Sequence, residues 1–257
     1  MRLQHSTWPE IEAYLSRSTG IVIPIGSTEQ HGPNGPIGTD AICPEKVALE
    51  AAARRDMYET MLVGPTLSIG MAQHHMAFPG TITLRPSTLV SVVRDVVVSL
   101  ARHGFDRIYF LNGHGGNIAT IGAAFAEIHA DRSLTPPDRA GRAVRCYLAN
   151  WFMGPKVRDL SKQLYGDSEG SHATPSEVSL AWFAEPGTVR EGVVLDPKVA
   201  PRGGFHDAED YRRRFPDGRI GSDPSLSSAG HGRQLCEAAV EDLIEDWRAF
   251  LADGVRE

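Results

Sequence analysis

Two short stretches of the chain concentrate the side chains that hold metal ions and move protons. Residues 26–40 read GSTEQHGPNGPIGTD, and residues 112–117 read NGHGGN. Glu29 and His31 stand two apart, just after the apolar run GIVIPIG at 20–26. If the backbone stays extended past Gly26, both side chains project on one side. Asp40 follows a loop of three glycines and two prolines, which can turn back and set its carboxylate beside them. Two carboxylates and an imidazole at a strand's end form a nitrogen/oxygen donor set suited to Zn2+ or Mn2+. Taken alone, the same residues also fit a turn-capping Glu29 and a surface His31.

His114 lies in the second stretch, again behind a buried-strand pattern. Its flanking glycines leave room for an ion or a substrate near the backbone. A glycine turn with an incidental histidine fits as well, and so does a helix N-terminus that holds phosphate. Against phosphate, the chain has no G-x-x-x-x-G-K-[ST] and no G-x-G-x-x-G with a suitably placed acidic residue. A third cluster is Ser171-His172-Ala173, with Glu177 five residues beyond His172. Glu177 opens a predicted helix over 173–184, where the helix dipole favours a carboxylate. His74 and His75 precede FPGTITL, and adjacent side chains of an extended segment point to opposite faces. At most one of them is then expected in a cleft. His5, His103, His129, His206 and His231 show no ligand spacing.

The elements that must position these residues alternate in type. Thr7 and Glu10, with Pro9 between them, carry the capping-box pattern of a short helix ending near Ser16. GIVIPIG and RIYFLNG, at 20–26 and 107–113, are apolar runs ending in glycine, the pattern of strands buried on both faces. AVRCYLAN at 143–150 reads as a third. MLVGP and LSIG within 61–70 read as strand and turn, and TITL at 81–84 as another short strand. Helical patterns cover Pro44 to Asp56, Ser87 to Arg102, Ile118 to Ala130 and Ser227 to Leu251. Ser87 is the expected cap of the second of these and Gly104 its stop. Residues 131–142 read as a surface loop, and the arginine-rich 201–219 as an exposed excursion. With no repeat and no linker-like shift, the expectation is one α/β domain over 1–257, a largely parallel sheet covered by helices. Open sheets of that kind place ligands outside the carboxyl ends of their strands.

Composition narrows the function classes. With 41% hydrophobic residues over 257 positions, the chain can build a sizeable core. Lys and Arg number 26 against 32 Asp and Glu, for a net charge of −6, and no basic tract stands out. Nucleic acid is therefore not an expected partner. Cys43, Cys146 and Cys236 are odd in number and lack C-x-x-C spacing, as expected of reduced thiols in a cytoplasmic protein. No apolar run is long enough to span a bilayer, and the N-terminus has no apolar leader core, so no membrane partner is expected.

On these motifs the sequence resembles the creatininase family of metal-dependent amidohydrolases. G-S-T-E-Q-H-G-P-x-x-P-x-G-T-D at 26–40, H-x-x-F-P-G-T at 75–81 and L-N-G-H-G-G-N at 111–117 match closely. S-H-A-x-x-x-E-x-S at 171–179 matches more loosely, as do the glycines and proline of 218–224. The resemblance implies a single three-layer α/β/α domain with a mostly parallel sheet, assembled as a homo-oligomer, often a hexamer. It also implies two divalent ions per chain, Zn2+ or Mn2+, with Fe2+ a further option. By the same resemblance Glu29 and His114 bind one ion, His31 binds the other, Asp40 bridges them, and Glu177 completes the second.

Two departures bear on substrate. Family members that act on creatinine carry a carboxylate where this chain has Gly116, which leaves Glu177 to complete the set and points away from creatinine. Members often have His-Leu where Asn34-Gly35 stand, and Gly-Glu where Thr174-Pro175 stand; both changes are expected on the substrate side of the pocket. The reaction expected is hydrolysis of a small-molecule amide, cyclic or open, by water activated between the ions. His172 would donate a proton to the leaving nitrogen, with Glu177 beside it in the catalytic set. Trp151 is either a wall for a flat substrate or a core residue. A deformylase, a peptidase, or a non-catalytic metal-binding scaffold are the competing readings.

Overall fold

The computed structural model describes residues 1–136, 138–141 and 143–252. In chain order the elements are α1 (Trp8–Leu15), β1 (Gly20–Ile25), α2 (Thr39–Ala52), β2 (Leu62–Val63), α3 (Pro86–His103), β3 (Arg107–Asn112), α4 (Ile118–Leu134), β4 (Arg145–Asn150), α5 (Pro155–Tyr165), α6 (Pro175–Ala184), α7 (Ala208–Arg214) and α8 (Ala229–Ala252). Four parallel strands form one sheet in the order β2-β1-β3-β4. Register aligns the ends that matter, with Ile25 opposite Asn112 and Asn112 opposite Asn150.

The strands alternate between two cores, as a period of two requires. Ile21, Ile23 and Ile25 of β1, with Ile108 and Phe110 of β3, pack against Tyr14 of α1, Leu89, Val93 and Val97 of α3, and Ile121 of α4. Val22, Tyr109 and Leu111 face the other way, onto Val47 of α2, Val157 of α5, Leu180 of α6 and Leu235 and Leu243 of α8. Helices thus cover both faces in a three-layer α/β/α arrangement. The chain moves from β1 out to β2 on one side and later to β3 on the other, so the strand order reverses between β1 and β3. Open parallel sheets form their ligand crevice at such a switch point.

Local chemistry explains most boundaries. The Thr7–Glu10 capping box forms, and Gly104 ends α3 in the left-handed region at φ 109°. Several expectations need correction. The TITL segment makes only a single bridge, Thr28 with Ile82. Pro86 occupies the first turn of α3, and no side chain caps it, so Ser87 is inside the helix. α4 runs four residues further than expected, into the stretch that reads as a loop; residues 137 and 142 of that stretch lie outside the described residues, as do 253–257 at the end of the expected domain. α5 was not anticipated.

The largest correction concerns 201–219. It holds α7, whose Tyr211 is fully buried, and Phe215 and Ile220 pack with Phe78 in a third, small core. Its arginines are engaged: Arg212 lies over the Phe78 ring, while Arg213 and Arg214 pair with Asp210. Arg219 is fully buried and gives hydrogen bonds to the carbonyls of Pro197, Lys198 and Ser222 and to the Asp217 carboxylate. Much of the segment is exposed as expected, 201–204 and 212–214 included, but Tyr211, Phe215 and Arg219 seat its inner side as a cap over the strand ends.

Candidate metal centre

β1 delivers the first residues. After Ile25 the chain continues extended, Glu29 N–H giving to Ile37 O at 3.0 Å, and a bridge joins His31 to Gly35. Asp40 follows its loop as expected, but the helix expected from Pro44 already begins at Thr39, so Asp40 lies in the first turn of α2. Pro44 sits inside that helix and has no N–H to give the Asp40 carbonyl. That carbonyl packs instead against the bare Cα atoms of Gly26 and Gly113, where an added Cβ would stand 2.1 and 2.0 Å from it. The glycines that end β1 and β3 are therefore what lets the start of α2 sit between the strands.

Around Asp40 the geometry is tight. Its Oδ1 lies 3.0 Å from His31 Nε2, and its Oδ2 lies 3.0 Å from His114 Nδ1. His114 Nε2 is 3.3 Å from Glu29 Oε2, and His31 Nε2 is 4.0 Å from Glu177 Oε2. Glu29, Asp40 and His114 form one group close enough to hold an ion, and His31, Asp40 and Glu177 form another, sharing Asp40. Glu177 is the third residue of α6, where its Oε1 accepts the Thr174 N–H at 2.6 Å and Thr174 Oγ1 accepts the Glu177 N–H. Only Oε2 is left for the cluster.

Burial and charge strain the site as it stands. Glu29, His31, Asp40 and His114 are all buried. Both Glu29 oxygens and Asp40 Oδ2 accept no hydrogen bond, a costly condition for enclosed carboxylates. Burial pushes the Glu29 carboxyl up to about 8. Burial alone would lower His31 and His114, but the surrounding carboxylates, Asp40 foremost for His31 and Glu29 for His114, push them up to about 10 and about 9. Burial would likewise raise Asp40, yet His31 and His114 hold it well below the usual carboxylate range. Burial raises Glu177. Imidazole and carboxylate donors around orphaned, enclosed oxygens fit a divalent ion.

Each histidine is also oriented from behind. His31 Nδ1 lies 3.1 Å from Glu29 O, and His114 Nε2 lies 2.9 Å from Met71 O. A carbonyl behind the ring takes the ring N–H and leaves a lone pair inward, the usual arrangement of a ligand histidine. Asn117 builds the His114 support, accepting from Met71 N–H and giving to Gly26 O at 2.9 Å each, and Asn112 Oδ1 accepts the His114 N–H.

His172 reaches the same cluster, its Nδ1 4.0 Å from Glu29 Oε1 and its Nε2 2.8 Å from Gln30 O. Ala173, at φ 51° the one non-glycine residue with positive φ among the described residues, turns the chain between His172 and the α6 cap. The expectation for His74 and His75 fails. They lie in a 3-10 turn, and both rings face the site, His75 Nε2 3.4 Å from Glu29 Oε1 and His74 stacked between His114 and Phe205. Trp151 is buried in the core with α2 and α8, and Asn34 is buried, giving to Pro224 O; neither lines the cluster. A side chain at Gly116 would meet His114 Nε2 at 2.4 Å and Met71 O at 2.8 Å, so the ring of His114 occupies that space here. Sequence reasoning missed Gln30, Asn112 and Asn117. The polar ends of the NGHGGN stretch were the available signal for the last two.

A parallel sheet between two layers of helices, with a buried carboxylate–imidazole cluster at its switch point, defines an α/β protein with a candidate metal centre. The chain belongs to the creatininase family: the family model described as creatinine amidohydrolase matches residues 4–246. It is similar to the mycofactocin precursor peptide peptidase of Mycobacterium tuberculosis, 31% identical over 239 residues and covering 89% of this chain and 84% of that protein. It is also 31% identical over 271 residues to the 3-dehydro-scyllo-inosose hydrolase of Thermotoga maritima, covering 95% and 82%. Among solved structures, a creatininase variant of zinc–zinc type superposes with TM-score 0.82 at 25% identity, covering 97% and 98%. A manganese creatininase gives 0.83 at 24%, also covering 97% and 98%.

Proposed function

We propose that the chain hydrolyses the carbon–nitrogen bond of a small amide with two divalent ions, Zn2+ or Mn2+. Glu29, Asp40 and His114 would hold one ion, and His31, Asp40 and Glu177 the other. The observation that carries this reading is Asp40, whose two oxygens each face a different imidazole nitrogen at 3.0 Å. When bound, the ions would make a water acidic enough to lose its proton near neutral pH and would polarise the substrate carbonyl.

His172 supplies the proton transfer. Its Nε2 lies 2.8 Å from Gln30 O and 2.9 Å from the Gln30 side-chain nitrogen; with the Nε2 hydrogen given to the carbonyl, Nδ1 carries a lone pair toward the cluster. Burial keeps the ring neutral, well below its ordinary value. A neutral ring must first take a proton at Nδ1 from the attacking water and then pass it to the leaving nitrogen. That recasts the expected proton donor as a proton carrier. Glu177, with one oxygen spent on its helix cap, acts as a ligand.

Asp40→Asn is the test. Purified protein should hold about two ions per chain, and the variant should lose both; full metal retention in Asp40→Asn would end the bridging assignment. His172→Ala should keep its metal while turnover on an amide panel falls about 10^2- to 10^4-fold. Absence of any chelator-sensitive turnover by the metal-loaded protein would favour a non-catalytic binder. A second reading, cleavage of a peptide amide, is favoured by the peptidase relative that matches most of the chain. Short peptides belong in the same panel, and faster turnover of them would select it.

A further inference from the structure

What stands behind each ring decides what the ring shows to the cluster. His31, His114 and His172 each have a backbone carbonyl behind them, at 3.1, 2.9 and 2.8 Å, so each, when neutral, turns a lone pair inward. His75 is reversed. Its Nδ1 lies 2.6 Å from the side-chain nitrogen of Gln30, which can only donate. The Gln30 amide is fixed in that sense: its Oε1 accepts the Gly32 N–H at 2.9 Å, and its two hydrogens go to His75 Nδ1 and to Gly218 O at 3.0 Å, which leaves His172 Nε2, 2.9 Å from the same nitrogen, to give its own hydrogen elsewhere. A neutral ring that accepts at Nδ1 carries its proton on Nε2. That nitrogen is 3.4 Å from Glu29 Oε1, an enclosed oxygen that as it stands accepts a hydrogen bond from no group, His75 included.

We propose that His75 is a positioning residue for Glu29, held by Gln30 in the Nε2–H tautomer so that it steers Oε1 and leaves Oε2, on the His114 side, for an ion. The proposal rests on the reading of Glu29 as a metal ligand. It also removes His75 from the ligand set, although Glu29, His74 and His75 are near enough to hold an ion by distance alone. The device is built from separate parts of the chain. Gln30 stands between Glu29 and His31 in the chain, and the Gly218 carbonyl that anchors it also accepts from Tyr211 Oη at 2.8 Å. His75 itself is buried, its ring 4.5 Å from that of Tyr211 and 4.4 Å from that of His172.

The test begins with metal-free wild-type protein carrying 15N-labelled histidine. Long-range proton–nitrogen correlations should show His75 protonated at Nε2 and bare at Nδ1; the opposite tautomer, or a charged ring, overturns the proposal. This reading needs no variant and no metal, so the tautomer stands or falls by itself; a protein that binds no ion would defeat the proposed function, and with it the role of Oε2, but not the tautomer. His75→Leu removes the donor and should weaken Zn2+ affinity about 10- to 100-fold, the usual cost of losing such a partner, measured by competition with a chromophoric chelator. His75→Gln places an amide N–H near the Nε2 position and should restore most of that affinity. Equal losses in the two variants, or none in either, would reduce His75 to a packing residue.

Discussion

Glu177 performs two tasks with two oxygens, and the tasks can be separated. Oε1 closes the α6 capping box with Thr174, and Oε2 faces His31. In Glu177→Gln the amide oxygen can keep the cap while the NH2 group takes the place of Oε2. The variant should therefore keep its thermal stability, whereas Thr174→Ala should lose about 1 kcal/mol with the cap. Metal content of Glu177→Gln should fall from two ions toward one; two tightly held ions would remove Glu177 from the ligand set. The same cluster sets a proton count. Glu29 near 8, His31 near 10 and His114 near 9 all retain protons at neutral pH when no ion is present. A bound ion needs the carboxylate and the bare imidazoles, so loading must expel those protons. Affinity should accordingly rise with pH and level off above about 10, where the last of these groups is already bare. Calorimetric titration with Zn2+ at neutral pH in two buffers of different ionisation enthalpy checks the release; identical heats would contradict it.

At the scale of elements, the cluster depends on α2 starting between two strand ends. Gly113→Ala would put a Cβ where the Asp40 carbonyl lies, forcing the first turn of α2 away from β3. Overpacking of that kind costs about 1–3 kcal/mol, readable by urea denaturation, and the displaced Asp40 should lower metal content as well. Unchanged stability would mean that the close approach is not a constraint. This contact also marks where sequence reading reached its limit. β1 and β3 were legible because strands buried on both faces are apolar throughout and stop at glycine, and Glu29, His31 and His114 follow those stops directly. The start of α2 was not, since Pro44 reads as a first-turn residue and only tertiary contact with Gly26 and Gly113 explains a proline deeper in the helix. α5 was hidden because its buried face, Val157, Ser161 and Tyr165, is partly polar. His74 and His75 were misjudged because a 3-10 turn, not an extended segment, carries them. Local pattern gives no warning of either.

Taken as a whole molecule, the candidate ligands come from three distant parts of the chain: residues 29–40 at the end of β1, His114 beyond β3, and Glu177 on α6. The cap formed by 201–219 reaches the same place through Gly218 and Tyr211 on Gln30. Among the described residues no helix is long and apolar enough to cross a membrane. Folding draws on the two large cores, on the small third one, and on whatever joins the parts above them. An ion bound by the folded chain alone stabilises it by mass action, about 4 kcal/mol at a free concentration 1,000 times Kd. For a chain of this size 1 kcal/mol moves Tm by roughly 2–4 °C. Chelation should then lower Tm on the order of 10 °C. Asp40→Asn, which has no ion to lose, should show almost no response to chelator. Because the ligands span the molecule, the loss should not stay local: hydrogen exchange should quicken at the β1 and β3 ends and across α6 together. Exchange that changes at one of these places alone would mean that a single mononuclear site, not a shared Asp40, holds the metal.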